Sequence, residues 1–333
     1  MIMDHCVAWA RQLAICACVL SLSCACSAEP PQPPNRPTTI ALWPKDLAIA
    51  RPEVTGPETV TVGTGAGIAG RPVTAISNVT RPTMAVYRAN GRNTGAALLV
   101  FPGGGYQILA IDLEGTEVCD WATARGITCA VLKYRVPWTG PHWDETCKCQ
   151  KAPAVPMALQ DAQRAMAILR SRGHEFGIDP HKIGVVGFSA GGHLVEAVTN
   201  ADELSYRPVD ALDRQDTRPD FGVALYPGHI WAGEGFQPEP FDHFSSKAPP
   251  TMIVAAEDDP VDDVRNSITY FLALREAKVP AEMHLYAHGG HAFGLRPTEQ
   301  PITHWPDLMW NWLHRIGILE DWRSRVARMP GGS

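Results

Sequence analysis

Residues 183–191 read Ile-Gly-Val-Val-Gly-Phe-Ser-Ala-Gly, and two different signals meet in them. Residues 183–186 are a short apolar run of the kind buried on both faces of a parallel sheet. Residues 187–191 match G-x-S-x-G, and the segment that follows, 192–197 (GHLVEA), is helix-forming. A serine between strand and helix sits on a sharp turn that presents its hydroxyl above the sheet. Glycines on either side remove the side chains that would collide there. Ser189 is therefore the candidate nucleophile.

Further runs of the same kind lie on either side. Residues 96–101 (AALLVF), 127–132 (ITCAVL), 222–225 (GVAL), 251–255 (TMIVA) and 283–286 (MHLY) are short, apolar and bounded by Gly, Pro or polar residues. Leu159, Ala162, Met166 and Leu169 recur at helical spacing between Pro156, suited to a helix start, and Gly173, suited to its end. Two more helices fit 264–277 and 304–316. Alternating strands and helices imply βαβ units, hence an α/β fold with a mostly parallel central sheet and helices on both faces. Residues 76–88 alternate and carry Pro82, which predicts antiparallel edge strands.

A serine nucleophile needs an oxyanion site, a base and an acid to orient the base. Residues 102–106 (PGGGY) close the strand 96–101, and successive glycines let backbone N–H groups converge. The N–H groups of Gly104, Gly105 and Ala190 are the candidate oxyanion donors; no Gly-Lys-Ser/Thr follows, so a phosphate loop is excluded. In 288–291 (HGGH), His291 is the candidate base and His288 a loop residue. Asp259, after strand 251–255, is the preferred acid, with Asp258 the second choice. The order Ser, Asp, His is that of the α/β-hydrolases rather than of chymotrypsin or subtilisin.

Composition narrows the class of partner. The chain has 333 residues, 45% of them hydrophobic and 19% charged, with a net charge of −6, which excludes disorder, collagen and coiled coil. It lacks the positive field that nucleic-acid or anionic-membrane binding needs, so a small ester or a neutral polysaccharide is the expected partner. Five of the nine cysteines fall in the first 28 residues, within a segment holding Arg11, an apolar run at 13–22 and small residues at 23–28. That pattern predicts a signal peptide over 1–28, and hence a secreted or periplasmic protein, with lipidation at Cys24 or Cys26 the route to a membrane anchor. Residues 29–37 hold five prolines and read as a tether. One catalytic domain is expected over 38–321, then a flexible tail over 322–333. Cys119, Cys129, Cys147 and Cys149 are left for disulfides or loop thiols, with their pairing open.

The ordered set PGGGY (102–106), LAIDLEG (109–115), YRVP (134–137), ALQDAQRA (158–165), GIDPHKIGVVGFSAGGHL (177–194), EDDPV (257–261) and HGGHAFGL (288–295) resembles the secreted carbohydrate-esterase group of α/β-hydrolases, which includes acetyl xylan esterases and bifunctional acetyl/feruloyl esterases. The likeness implies hydrolysis of acetyl or feruloyl esters on plant polysaccharide such as xylan, with no metal or organic cofactor, through Ser189, Asp259 and His291. One departure stands out: the group commonly has D-P-V-V-P after the acid, whereas this chain has Val261-Asp262-Asp263. That leaves Asp258, Asp259 and Asp262 all in play as the acid.

Tyr106, Trp138, Trp143 and Trp231, with Phe236 and Phe241, fall in loops expected at the carboxyl ends of strands, where α/β sheets bind ligands. They are candidates to stack on sugar rings. Asp112, Glu114 and Glu117 are candidates for sugar hydroxyls or for an exposed acidic helix face, and His142 and His193 read as packing residues. A peptidase of the same fold and a non-catalytic sugar-binding protein are the competing functions.

Overall fold

The computed structural model describes residues 36–137, 156–240 and 242–319. The expectations for the signal peptide, Cys24, Cys26, most of the tether, the tail, Trp138, His142, Trp143, Cys147, Cys149 and Phe241 lie outside the described residues.

Sheet and helix alternate along the chain as β1 (Thr38–Ala41), β2 (Thr59–Val62), β3 (Thr74–Ser77), β4 (Thr83–Tyr87), β5 (Ala97–Phe101), β6 (Ile108–Ala110), α1 (Glu117–Thr123) and β7 (Thr128–Lys133). There follow α2 (Pro156–Phe176), β8 (Ile183–Phe188), α3 (Ala190–Asn200), β9 (Phe221–Leu225), β10 (Thr251–Ala256), α4 (Arg265–Glu276), β11 (Ala281–Tyr286) and α5 (Trp305–Arg315). Among the described residues, eight strands form the main sheet in the order β1-β4-β7-β5-β8-β9-β10-β11. From β7 to β11 all neighbours are parallel; Leu99 of β5, for example, stands opposite Ala130 of β7 and Val185 of β8.

Strand periodicity divides the core in two. Leu99 and Phe101 pack with Met166 and Leu169 of α2, Leu194 and Val198 of α3, and Tyr270 and Leu274 of α4. Leu98 and Val100, pointing the other way, pack with Val118 and Ala122 of α1 and Trp305, Met309 and Leu313 of α5. Both faces of the sheet are thus covered. The carboxyl ends of β5, β8, β10 and β11 share one edge, because parallel strands end together.

Two expectations change. β4 is not an edge strand: it lies antiparallel between β1 and β7. Pro82 precedes its first residue, so its missing N–H costs no ladder bond. Residues 76–77 belong instead to a small sheet, β2-β3-β6. The helix beginning at Pro156 runs through Gly173 and stops before Gly177, whose φ of +69° supplies the left-handed cap.

Cys119 of α1 and Cys129 of β7 form a disulfide, both residues fully buried. The link closes a loop across a separation of 10 residues, which by chain entropy is worth roughly 2–3 kcal/mol. A Cys119→Ala/Cys129→Ala double variant should lose about that much in urea unfolding, and the loss should match that of the reduced wild type. Equal stability of oxidised and reduced protein would contradict it.

Candidate active site

β8 ends at Phe188 and α3 begins at Ala190, and Ser189 between them has φ 53° and ψ −120°. Such a backbone costs on the order of 1–3 kcal/mol for a residue with a side chain. Its neighbours enforce it: a Cβ on Gly187 would lie 2.0 Å from the Gly191 carbonyl oxygen, and one on Gly191 would lie 2.1 Å from that of Phe101. The Ser189 N–H donates to the Leu225 carbonyl at 3.0 Å, and its own carbonyl accepts from the Gly192 N–H at 2.8 Å. The residue is 7% exposed.

His291 follows β11, and its Nε2 lies 3.1 Å from Ser189 Oγ. On the far side of the ring, Nδ1 lies 2.7 Å from Asp259 Oδ2. The other Asp259 oxygen accepts the N–H groups of Val261 at 2.8 Å and Asp262 at 3.0 Å, which fixes the carboxylate. Asp258 faces elsewhere: it accepts from the N–H groups of Gly289 and Gly290 and contacts His288, so it braces the loop that carries His291. Of the two acids considered first, Asp259 is the one on the base.

Asp262 reaches the same centre. Its Oδ2 lies 3.2 Å from Ser189 Oγ, to which that hydroxyl donates, and 3.8 Å from His291 Nε2. Gly228 makes the room, since a Cβ there would meet the carboxyl atoms at 2.4–2.7 Å. Burial, reinforced by the charge of Asp259, pushes Asp262 up to about 6 against the pull of His291 and the Ser189 hydroxyl. Burial pulls His291 down, but the Asp259 hydrogen bond and the charges of Asp262, Asp259 and Glu114 outweigh it and raise the imidazole above its ordinary value. One hydroxyl proton therefore has two acceptors. When Asp262 is ionised it competes with His291 for that proton, and when Asp262 is protonated it donates to the oxygen and leaves the proton to the histidine.

The glycine loop is held from below. Its Gly103 N–H donates to Glu114 Oε2 at 2.7 Å, and Glu114 Oε1 accepts from the Tyr226 hydroxyl at 2.9 Å. The Tyr226 ring in turn lies 4.8 Å from that of His291. Burial raises Glu114 most, with hydrogen bonds from Tyr226 and Gly103 opposing. Gly104 and Gly105 adopt φ of +129° and +61° in the turn after β5, and Ala190 opens α3.

Several expected substrate contacts are corrected. Tyr106 is 1% exposed and bonds through its hydroxyl to His193 Nδ1 at 2.8 Å, so it is core and offers no face to a sugar. Trp231 is 8% exposed, its indole N–H donates to Gly235 O, and the Arg265 guanidinium covers its ring at 3.6 Å. Phe236 remains exposed. Glu117 pairs with Arg296 and Arg71, and Asp112 accepts the Thr74 N–H, so both acids serve the fold. Asp262, one of the three acids left open by the sequence, lies beside the nucleophile rather than on His291 Nδ1, Glu114 braces the glycine loop instead of meeting a sugar, and Tyr226 is the one member of the centre that the sequence does not single out. The one local hint for Glu114 is its place between Leu113 and Gly115, after the glycine loop it braces.

A parallel sheet with a strained serine turn after an interior strand, and an acid and a histidine after its last two strands, defines an α/β-hydrolase. Residues 116–317 match the prolyl oligopeptidase family, and the chain belongs to that family. It is 28% identical over 257 residues to an acetylxylan esterase of Xylanibacter ruminicola, covering 70% of this chain and 48% of that one. It is also 28% identical over 237 residues to endo-1,4-beta-xylanase B of Butyrivibrio fibrisolvens, covering 66% and 35%. The chain thus spans half or less of the length of these curated relatives. Among solved structures, an acetyl ester-xyloside bifunctional hydrolase from Caldicellulosiruptor lactoaceticus superposes with a TM-score of 0.66 at 29% identity, over 86% of this chain and 98% of that one.

The charge arrangement predicts a titration. The His291 ring should ionise above the ordinary imidazole value of about 6.5, so its neutral, proton-accepting form prevails only on the alkaline side of that raised value. Asp262→Asn removes a negative charge 3.8 Å from Nε2 and should move the His291 midpoint to lower pH. Nitrogen-15 NMR titration of the histidines in both proteins checks this; an unmoved midpoint would mean that Asp262 does not act on the base.

Proposed function

We propose that the protein is a secreted serine esterase that removes small acyl groups, acetyl foremost, from xylan-type polysaccharide. The observation that carries the reading is the relay of 3.1 Å from Ser189 Oγ to His291 Nε2 and 2.7 Å from His291 Nδ1 to Asp259, built on a strained turn that holds the serine between β8 and α3. The acetylxylan esterase and the acetyl ester-xyloside hydrolase among its relatives supply the substrate class.

In this reading His291 takes the Ser189 proton as the oxygen attacks the ester carbonyl, and Asp259 stabilises the imidazolium that forms. The N–H groups of Gly104, Gly105 and Ala190 receive the oxyanion, and Glu114 holds the loop that carries the first two. His291 returns the proton to the departing sugar hydroxyl. Water, deprotonated by the same ring, then releases the acid from Ser189. Export is supported by the N-terminal sequence pattern and by the Cys119–Cys129 disulfide, a bond at home in oxidising compartments.

The family's name raises a second reading, a peptidase. An ester such as p-nitrophenyl acetate and an aminoacyl nitroanilide separate the two: faster turnover of the ester is expected. On acetylated, feruloylated xylan, acetate should appear well ahead of ferulate. Ser189→Ala should lower ester turnover by on the order of 10⁴-fold or more, with the fold checked by circular dichroism. A folded Ser189→Ala protein with near wild-type turnover would overturn the assignment.

A further inference from the structure

Beyond Ser189 on α3, His193 and Glu196 are three residues apart and share one face of the helix. Both are buried. Asp242, on the segment between β9 and β10, brings a carboxylate to the same place: Asp242 Oδ1 lies 4.0 Å from His193 Nε2. Ligand atoms of His193, Glu196 and Asp242 all lie within 4.8 Å of one another.

The surroundings leave these groups short of partners. The Asp242 side chain is only 4% exposed, and its Oδ2 has no hydrogen-bond partner among the described residues. Glu196 Oε1 receives one long contact, from Asn200 Nδ2 at 3.4 Å. Among the described residues no lysine or arginine pairs with either acid. Buried carboxylates persist when something positive compensates them. The His193 imidazole beside Asp242 adds no charge unless it is protonated.

We propose that His193 Nε2, Glu196 and Asp242 form a binding site for one divalent transition-metal ion of the zinc class. An imidazole with two carboxylates suits Zn²⁺ or Mn²⁺, whereas Ca²⁺ and Mg²⁺ favour all-oxygen sets. Ligand bonds of roughly 2.0–2.2 Å at tetrahedral angles put two ligand atoms about 3.3–3.6 Å apart, so the pair at 4.0 Å would close by about half an ångström and any pair at the 4.8 Å limit by about one. An outer contact is in place as well: Tyr106 Oη lies 2.8 Å from His193 Nδ1, so an ion on Nε2 would leave the ring proton on Nδ1, where the tyrosine oxygen would accept it. The ion would join α3, the segment after β9 and, through Tyr106, the glycine loop. Its role is to fix those three pieces around the nucleophile, outside the acyl-transfer chemistry.

The test uses the full chain, stripped with EDTA and then titrated with ZnCl₂ and, separately, MnCl₂, with metal content and thermal unfolding as readouts. One equivalent should bind, and at a hundred times the dissociation constant the midpoint should rise by on the order of 5 °C. Glu196→Gln and Asp242→Asn should each abolish that rise while melting no lower than the stripped wild type, since each removes a buried charge. Should a variant fail to fold, the zinc-induced shift of the His193 Nε2 resonance in the wild type decides alone. The proposal is overturned if no divalent ion raises the wild-type midpoint, if the variants keep the full rise, or if zinc leaves the His193 resonance in place. The first result would mean that the acids are compensated by protons, and the second that the ion binds elsewhere on the chain.

Discussion

Two backbone turns that nearly touch set everything else in this site. The register of the sheet puts Phe101 at the end of β5 opposite Gly187, one residue before the end of β8, so the glycine loop and the serine turn emerge side by side. They interlock with no space to spare: a Cβ on Gly103 would lie 2.5 Å from the Phe188 carbonyl oxygen and 3.0 Å from Ser189 Cβ. The Tyr134 hydroxyl donates to the Pro102 carbonyl at 2.6 Å, and Glu114 takes the Gly103 N–H, so the loop is tied at two successive residues. Strain at Ser189 is tolerable because packing on every side leaves the chain no lower-energy path.

Around this frame three acids act on one imidazole by different routes. Asp259 does so through a direct hydrogen bond to Nδ1, Asp262 from the Nε2 side, and Glu114 at a distance, with the Tyr226 ring between. All three are buried on their side chains or as whole residues. Burial makes each of them costly and at the same time lets each act more strongly on the ring, because little water intervenes. The opposed effects on His291, burial against charge, resolve toward the protonated form.

Local pattern carried the reading of the chain a long way and then met a definite limit. The apolar runs at 96–101, 183–186 and 251–255 became β5, β8 and β10 with shifts of a residue or two, because strands buried on both faces leave a composition that does not depend on their partners. The Ser189 turn was recognisable because its chemistry needs small residues at fixed spacing. What local pattern does not carry is the direction in which a loop side chain points. Tyr106 and Trp231 look like sugar platforms until their ring faces are found against His193 and Arg265. Arg135 and Asp161, which lie inside YRVP and ALQDAQRA, are a fully buried ion pair at 2.9 Å that ties the residues just after β7 to α2. Glu114 and Asp262 join the centre through partners as far as 112 and 73 residues away, a distance over which no periodicity speaks.

The space that Gly228 leaves for Asp262 makes positions 228 and 262 a single unit in inheritance, though 34 positions separate them in the chain. A methyl group at 228 would evict the carboxylate, and a smaller residue at 262 would release the need for glycine. Related chains should therefore gain the extra acid beside the serine with glycine first and lose it with the acid first, and a chain caught between the two steps would carry the vacancy without the charge.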